Sequence, residues 1–323
     1  MKQYAIFGSL ALAWAGLLGT PAVAADCSLK LVNTVPIKMA YDGRRAIVPV
    51  TINGTEKPFL LDTGGYATQI SAAAAQDLKL LMTESDGKLL DLYGNASERA
   101  VVVEIFVLGR LGDKRTRLPI ITFGDNKLFS GILAADYMGR YDIELDFAGG
   151  KMNYFSQDHC PGKVVYWNAA AIAAVPMRFV DHHLILDVSL DGHPFKAMLD
   201  TGAPVTTLTI EAARRVFGLT ADNGEKAFEH VFQKLSFEGL EVGNPHVVVI
   251  PEKVGSKDAN NDFVTGSRVR RVDDPDPSDP VMLIGMNILS KLRLVIAFQE
   301  QKIYVTPASA QQAGSAPSAA PAP

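Results

Sequence analysis

Two short stretches of the sequence decide the fold: "FLLDTGGYAT" at residues 59–68 and "FKAMLDTGAPVTTL" at residues 195–208. Each is an apolar run that leads into Asp-Thr-Gly, although an ionised carboxylate is costly to bury at the end of such a run. The two aspartates, Asp62 and Asp200, are 138 positions apart. A single Asp-Thr-Gly is most often a turn in which the aspartate caps backbone amides. Two copies in matching surroundings instead predict an internal repeat.

The surroundings of the two triplets also match when the chain is shifted by 138 positions. In each copy an alternating strand runs into a dipeptide typical of tight hairpins, and the returning strand carries the aspartate. The predicted strands and turns are Ala46–Ile52 with Asn53-Gly54, and Leu184–Leu190 with Asp191-Gly192. Ser71 and Thr209 then have the character of helix N-caps. They predict short helices near Ala72–Leu78 and Ile210–Phe217.

The later parts of the two copies match at a larger shift of 151 positions, 132–155 against 283–306. The second copy therefore holds a net 13 extra residues, which we assign mostly to the charged segment Gly255–Pro280. Its composition predicts a solvated loop, and solubility is favoured over substrate contact as the reason for its charges. Short strand-period runs such as Val101–Leu108 and His246–Ile250, separated by turn residues, predict a mainly β fold with barrel-like lobes.

The ends of the chain are expected to lie outside the folded part. Residues 1–24 have the pattern of a signal peptide: Lys2, the apolar run Ala5–Leu18, and Ala22-Val23-Ala24 before the cut. A membrane anchor is the alternative. We therefore expect an exported protein, periplasmic or secreted, with no membrane span after signal removal. Residues 25–158 and 173–307 are the predicted lobes, 159–172 the linker, and 308–323 a disordered tail.

The cysteines, the histidines and the net charge indicate which bonds and ligands to expect. Cys27 and Cys160 are the two cysteines of the chain, and export predicts that they form a disulfide, with two free thiols as the alternative. The six histidines show no metal-ligand spacing, so we expect no metal and no cofactor. His182-His183 is interpreted as a polar pair at a strand start. A net charge of −4 without a basic block gives no electrostatic footprint for nucleic acid.

Two aspartates brought together by such a repeat have a defined chemistry. Like charges at close range cannot both ionise, so the pair holds one proton between them. The ionised member can take a proton from a water that attacks a carbonyl, and the protonated member can donate to the carbonyl oxygen. The glycine of each triplet permits a sharp turn with its amides facing the carboxylate. The threonine hydroxyls are suited to tie one turn to the other.

The chain resembles the aspartic proteases of the retropepsin and pepsin type. The resemblance is carried by 60-LLDTG-64 and 198-MLDTG-202, by Thr68 and Thr206, and by the late segments 132–134 and 283–285. It implies two tandem retropepsin-like β-barrel lobes related by a pseudo-two-fold axis, each with a short helix, in a monomer. It further implies that Asp62 and Asp200 form a catalytic dyad and that Thr63 and Thr201 form a hydrogen-bonded grip between the turns. It implies that Gly64 and Gly202 shape the turns, and that a substrate flap lies within 89–100, with Tyr93-Gly94 near its tip.

Three points depart from the family pattern: Gly65-Tyr66, Pro204, and Ala134 where a glycine is usual. An ordinary exposed loop aromatic is the alternative interpretation of Tyr93. Because neither Gly65 nor Ala203 has a hydroxyl to bond the carboxylates, we expect activity from mildly acidic towards neutral pH. The expected function is an aspartic endopeptidase acting on peptides or proteins. The alternatives are a catalytically inactive peptide-binding relative in the cell envelope and a purely structural envelope protein.

Overall fold

A computed structural model of the chain describes residues 27–41, 43–90, 96–121, 128–221, 227–250, 270–271 and 280–308. The predicted signal peptide, Tyr93-Gly94, nearly all of Gly255–Pro280 and the tail from residue 309 lie outside these residues. Within them the fold is mainly β, with short helices and two similar lobes, which confirms the predicted fold class. In this part of the chain no helix is both long and apolar enough to span a bilayer.

Lobe one contains eleven strands, the helix α1 and one turn of 3-10 helix at Ala135–Tyr137. The strands and helix are β1 Leu31–Pro36, β2 Lys38–Ala40, β3 Arg45–Ile52, β4 Thr55–Asp62, β5 Gln69–Ser71, α1 Ala72–Asp77, β6 Leu81–Leu90, β7 Ala96–Leu108, β8 Leu111–Ile121, β9 Gly131–Ala134, β10 Asp142–Asp146 and β11 Lys151–Phe155.

In the described residues, lobe two has a similar order with two helices, of which the first corresponds to α1. Its elements are β12 Ala173–Val180, β13 His183–Leu190, β14 His193–Leu199, β15 Thr206–Thr209, α2 Ile210–Phe217, β16 Phe228–Val231, β17 Lys234–Phe237, β18 Leu240–Gly243, β19 His246–Ile250, β20 Arg270–Arg271, β21 Met282–Ile284, α3 Met286–Leu289, β22 Leu292–Ala297 and β23 Lys302–Pro307. The short strand β20 pairs with β6 of lobe one.

The predicted hairpins and helix starts are confirmed. Strands β3 and β4 pair around Asn53-Gly54, and β13 and β14 pair around Asp191-Gly192. All four turn residues have positive φ, the conformation that tight hairpin turns require. Ser71 Oγ accepts from the third amide of α1, and Thr209 Oγ1 does the same for α2. Both helices therefore begin at the residue expected from the sequence.

In each lobe the strand that carries the aspartate is supported from one side by a late strand. Strand β4 pairs in parallel with β9, with Asp62 opposite Ala134, and β14 pairs in parallel with β21. The strand that follows the aspartate, β5 or β15, lies antiparallel on the other side of the same late strand. The late strand therefore lies between the strand that ends at the aspartate and the strand that follows the loop. Both ends of the aspartate-bearing loop are fixed by pairing to this one strand.

One sheet joins the lobes. Its order begins β1-β11-β10-β22-β23-β12, and the junction is the antiparallel pairing of β10 with β22. At this junction the buried Glu144 accepts from Arg293 Nε at 2.6 Å and from the Tyr166 hydroxyl at 2.8 Å. The guanidinium carbon of Arg293 lies 3.7 Å from the centroid of the Trp167 ring. A buried charge that is both paired and stacked fixes the contact between the lobes.

The disulfide between Cys27 and Cys160 is present, as predicted. It ties the start of lobe one to the segment that leads into lobe two. Its loop spans 133 positions. By the loop-entropy argument, closing a loop of that size raises the free energy of the unfolded chain, and so stabilises the fold, by about 4–5 kcal/mol.

Candidate active site

The two Asp-Thr-Gly turns meet between the lobes. Asp62 ends β4, Asp200 follows β14 directly, and neither side chain is exposed to solvent. A Cβ atom built on Gly64 would lie 2.6 Å from Asp200 Oδ1, and one built on Gly202 would lie 2.5 Å from Asp62 Oδ2. Each carboxylate therefore lies against the glycine of the opposite turn. That close approach requires glycine at both positions.

The two threonines lock the turns together through four reciprocal hydrogen bonds. The Thr63 amide donates to Thr201 Oγ1 at 3.0 Å, and the Thr201 amide donates to Thr63 Oγ1 at 3.1 Å. The Thr63 hydroxyl donates to the Leu199 carbonyl at 2.7 Å, and the Thr201 hydroxyl donates to the Leu61 carbonyl at 2.8 Å. All four bonds cross between the lobes and all are buried. This is the grip that the family resemblance implied.

Backbone amides hold each carboxylate within its own turn. The Gly64 amide donates to Asp62 Oδ1 at 3.0 Å, and the Gly202 amide donates to Asp200 Oδ1 at 2.9 Å. The Ala203 amide also donates to Asp200 Oδ1, at 3.0 Å, which the sequence did not predict. Such bonds favour the ionised form, whereas two close carboxylates oppose double ionisation. The arrangement therefore supports a pair that carries one negative charge.

The far end of each loop is anchored to a polar residue that the sequence analysis missed. In lobe one the Thr68 amide and hydroxyl donate to Asp136 at 2.9 and 2.6 Å. In lobe two the Thr206 amide and hydroxyl donate to Asn287 Oδ1 at 2.7 and 2.8 Å. Burial raises the pKa of Asp136, against the Thr68 hydrogen bonds and the His182 charge, which lower it. The sequence did contain a sign of these two anchors, because the shift of 151 positions aligns Asp136 with Asn287 in otherwise apolar segments.

Each loop is also held from the opposite lobe. Arg45, the first residue of β3, donates through Nη1 to the Gly202 carbonyl. His182, immediately before β13, approaches the Tyr66 carbonyl with Nδ1 at 2.9 Å, and its ring centroid lies 5.7 Å from that of Tyr66. Since a carbonyl only accepts, this nitrogen carries the hydrogen. His183 begins strand β13, as expected. The contact of His182 with the Tyr66 carbonyl could not be predicted from the spacing of residues in the sequence.

The departure at Ala134 has a structural explanation. Ala134 is fully buried and packs in a small cluster with Leu60, Phe129 and Ile132. A Cβ built on its counterpart Gly285 would instead overlap the Val205 carbonyl. The two backbone amides nevertheless make the same bond, at 3.1 Å, to Thr68 Oγ1 and to Thr206 Oγ1 respectively. Lobe one has therefore absorbed the extra methyl group without losing the support behind its loop.

Two further predictions concern the surroundings of the site. Tyr93-Gly94, the candidate flap tip, lies outside the described residues, between β6 and β7. Among the residues that are described, no three His, Cys, Asp or Glu side chains are grouped so as to hold a metal ion.

Comparison with known proteins places the chain in a family. The family model described as "Aspartyl protease" matches residues 48–137 and 186–288, more than half of the chain. Among solved structures, an aspartic proteinase from Irpex lacteus is similar at 12% identity and a TM-score of 0.48, covering 88% of this chain and 99% of that one. Basic 7S globulin from soybean is similar at 9% identity and a TM-score of 0.47, covering 86% and 95%. A search of curated proteins finds no match.

Proposed function

The chain belongs to the aspartyl protease family, and we propose that it is an aspartic endopeptidase in which Asp62 and Asp200 share one proton. The observation that carries the proposal is the reciprocal placement of the two turns. Each carboxylate lies against the glycine of the other turn, and four buried hydrogen bonds fix this arrangement. A surface turn that merely capped its own amides would need none of these contacts.

The reaction that we propose is hydrolysis by an activated water. The ionised aspartate takes a proton from the water as its oxygen bonds to the peptide carbonyl carbon, and the protonated aspartate donates its proton to the carbonyl oxygen. The tetrahedral intermediate then collapses. The C–N bond breaks as the nitrogen receives the proton that the first aspartate took from the water, and the second aspartate takes back a proton from a hydroxyl of the intermediate, leaving a carboxylic acid and an amine. The threonine grip holds both carboxylates in place throughout, so little reorganisation is needed during the reaction.

The remaining expectations from the sequence belong to this proposal. The enzyme is exported to the periplasm or the medium, acts on peptides or proteins, and works as a monomer because both aspartates lie in one chain. Its optimum lies between mildly acidic and neutral pH, since neither Gly65 nor Ala203, the residue directly after each triplet, has a hydroxyl to bond the carboxylates. A rate optimum below about pH 3, under the ordinary pKa of aspartate, would contradict this part of the proposal.

Cleavage of a mixed peptide library, followed by mass spectrometry, tests the proposal. The purified wild-type protein should cleave, and Asp62→Asn and Asp200→Asn should each lose a factor of about 10²–10⁴ in rate, the usual contribution of a general acid or base. Asp187→Asn is the matched control, because that aspartate is exposed and pairs only with the exposed Lys196 in the described contacts. It should cleave like the wild type.

Two results would overturn the assignment. Equal cleavage by the wild type and both dyad variants would show that the activity does not come from this site. Binding of peptides by the wild type without any cleavage would favour a peptide-binding relative that has lost catalysis.

A further inference from the structure

The two aspartate-bearing loops are held in equivalent ways by groups of different chemistry. We define the Asp62 loop as residues 62–68 and the Asp200 loop as residues 200–206. Each loop is anchored at its end by a side chain of its own lobe and is contacted in its middle by a side chain of the other lobe. The threonine grip between them is symmetric, so the two halves of the site differ in these outer contacts and in the additional bond from the Ala203 amide to Asp200.

The Asp62 loop is held by two groups that exchange protons. Asp136 accepts from both the amide and the hydroxyl of Thr68. His182 donates from Nδ1 to the Tyr66 carbonyl, and its ring packs against the Tyr66 ring. A carboxyl and an imidazole both change charge in or near the range in which most enzymes work.

The Asp200 loop is held by two groups that do not. Asn287 makes the bonds to Thr206 with an amide oxygen, and its Nδ2 donates to the His246 carbonyl at 2.8 Å. Arg45 supplies the contact from the opposite lobe, to the Gly202 carbonyl. A guanidinium stays charged at every pH that proteins tolerate, and an amide is never charged.

We propose that Asp136 and His182 are positioning residues that make the placement of Asp62, but not that of Asp200, depend on proton binding. This inference rests on the proposed peptidase function. Asp136 and His182 lie on opposite lobes and act on the same loop, at Thr68 and at Tyr66. A change of charge on either one therefore acts on the contact between the lobes as well as on the loop.

The sign of the effect follows from the burial of Asp136. The two Thr68 bonds favour its ionised form, but burial outweighs them and raises its pKa, so the folded loop favours the protonated acid. Ionisation of Asp136 as the pH rises therefore weakens the hold on the loop. Since its pKa is raised, this loss begins at a higher pH than the ionisation of an exposed aspartate. In the part of the chain that the structure describes, titratable groups beside the pair include Tyr66 and Tyr137 of lobe one, and Asp181 and His183 next to His182.

Two substitutions retain the contacts and remove the titration. Asp136→Asn reproduces the amide found at Asn287. His182→Asn keeps a donor nitrogen near the position of Nδ1, and asparagine tolerates the positive φ of 63° at this residue. The matched control is His193→Asn, because His193 is an exposed imidazole whose ring lies against Phe217 and contacts neither loop in the described structure.

The first measurement is the pH dependence of kcat and KM for peptide cleavage. Asp136→Asn should move the acidic limb of kcat by about half a pH unit or more, and His182→Asn should lower kcat about tenfold at mildly acidic pH with little change in KM, because the loop positions a reacting group. His193→Asn should reproduce the wild-type profile. Profiles of Asp136→Asn and His182→Asn that both coincide with that of His193→Asn would overturn the inference.

The second measurement does not need activity. The denaturation midpoint of Asp136→Asn relative to the wild type should rise as the pH rises from 3 to 7, because an acid with a raised pKa destabilises the fold once it must ionise. A difference that is constant with pH would overturn the inference. If the wild type cleaves no peptide at any pH, the proposed function fails, and this second measurement still decides whether the loop is held in a proton-dependent way.

Discussion

The threonine grip gives the sharpest prediction, and its size can be worked out from the contacts. The substitution is Thr63→Val, which keeps the shape of the side chain and removes its hydroxyl. The hydroxyl donates to the Leu199 carbonyl and accepts from the Thr201 amide, and both bonds are buried. A buried polar group that loses its partner costs about 1–3 kcal/mol, so two such groups give about 2–6 kcal/mol. That is a large fraction of a total stability of about 5–15 kcal/mol.

The pseudo-symmetry makes this prediction stricter. Thr201→Val removes the equivalent bonds, from the Thr63 amide and to the Leu61 carbonyl. The two substitutions should therefore destabilise the protein equally, within about 1 kcal/mol, although they lie in different lobes. Thr63→Ser is the control, because it keeps the hydroxyl and loses only a methyl group, for about 1 kcal/mol.

Urea unfolding, followed by circular dichroism and by Trp167 fluorescence, is the assay. Coincident transitions by the two probes license a single free energy of unfolding for each variant. The reasoning is refuted if both valine variants lose less than about 1 kcal/mol, since the hydroxyls would then be solvated or redundant. It is equally refuted if Thr63→Ser costs as much as Thr63→Val, because methyl packing would then explain the loss.

Three further predictions use the same structure. Gly64→Ala should abolish peptide cleavage, because the new Cβ would lie 2.6 Å from Asp200 Oδ1. Gly243→Ala is the control and should leave the cleavage rate unchanged, because Gly243 has open space around it and no positive φ. Replacing Cys27 and Cys160 by alanine should lower the free energy of unfolding by about 3–5 kcal/mol, and a reducing agent should destabilise the wild type but not this variant. Arg45→Met should destabilise the protein by about 2 kcal/mol in urea unfolding, because the Gly202 carbonyl loses its cationic donor, and Arg45→Lys, which keeps a charged donor, should lose less.

Local structure was predictable from the sequence where local chemistry decides it. Asn53-Gly54 and Asp191-Gly192 adopt the positive φ values of a tight hairpin, and Ser71 and Thr209 cap the helices that follow them. The repeat then placed two such units in one fold. The sheet that joins the lobes was not predicted, because the pairing of β10 with β22 depends on edges that meet only after both lobes have formed.

Some residues of the candidate site were likewise predictable from the sequence and others were not. The carboxylates, threonines and glycines of the two triplets were expected, since the chemistry of the pair needs each of those residue types. Arg45 and His182 were not, because each acts across the lobe interface, 157 and 116 positions from its partner along the chain. Asp136 was visible in the repeat alignment, yet its role became clear only when its two bonds to Thr68 placed it at the end of the Asp62 loop.

These differences between the lobes bear on the proposed sharing of one proton by Asp62 and Asp200. If both halves of the site were built from identical chains, the two turns would have the same neighbours, and nothing but the substrate would distinguish one aspartate from the other. Here the contacts that must fix both turns, the four threonine bonds, have stayed symmetric. The contacts that set the charge near each loop have diverged, with Asp136 and His182 on one side and Asn287 and Arg45 on the other. Carrying both lobes in one chain allows Asp62 and Asp200 to be chemically inequivalent before any substrate binds.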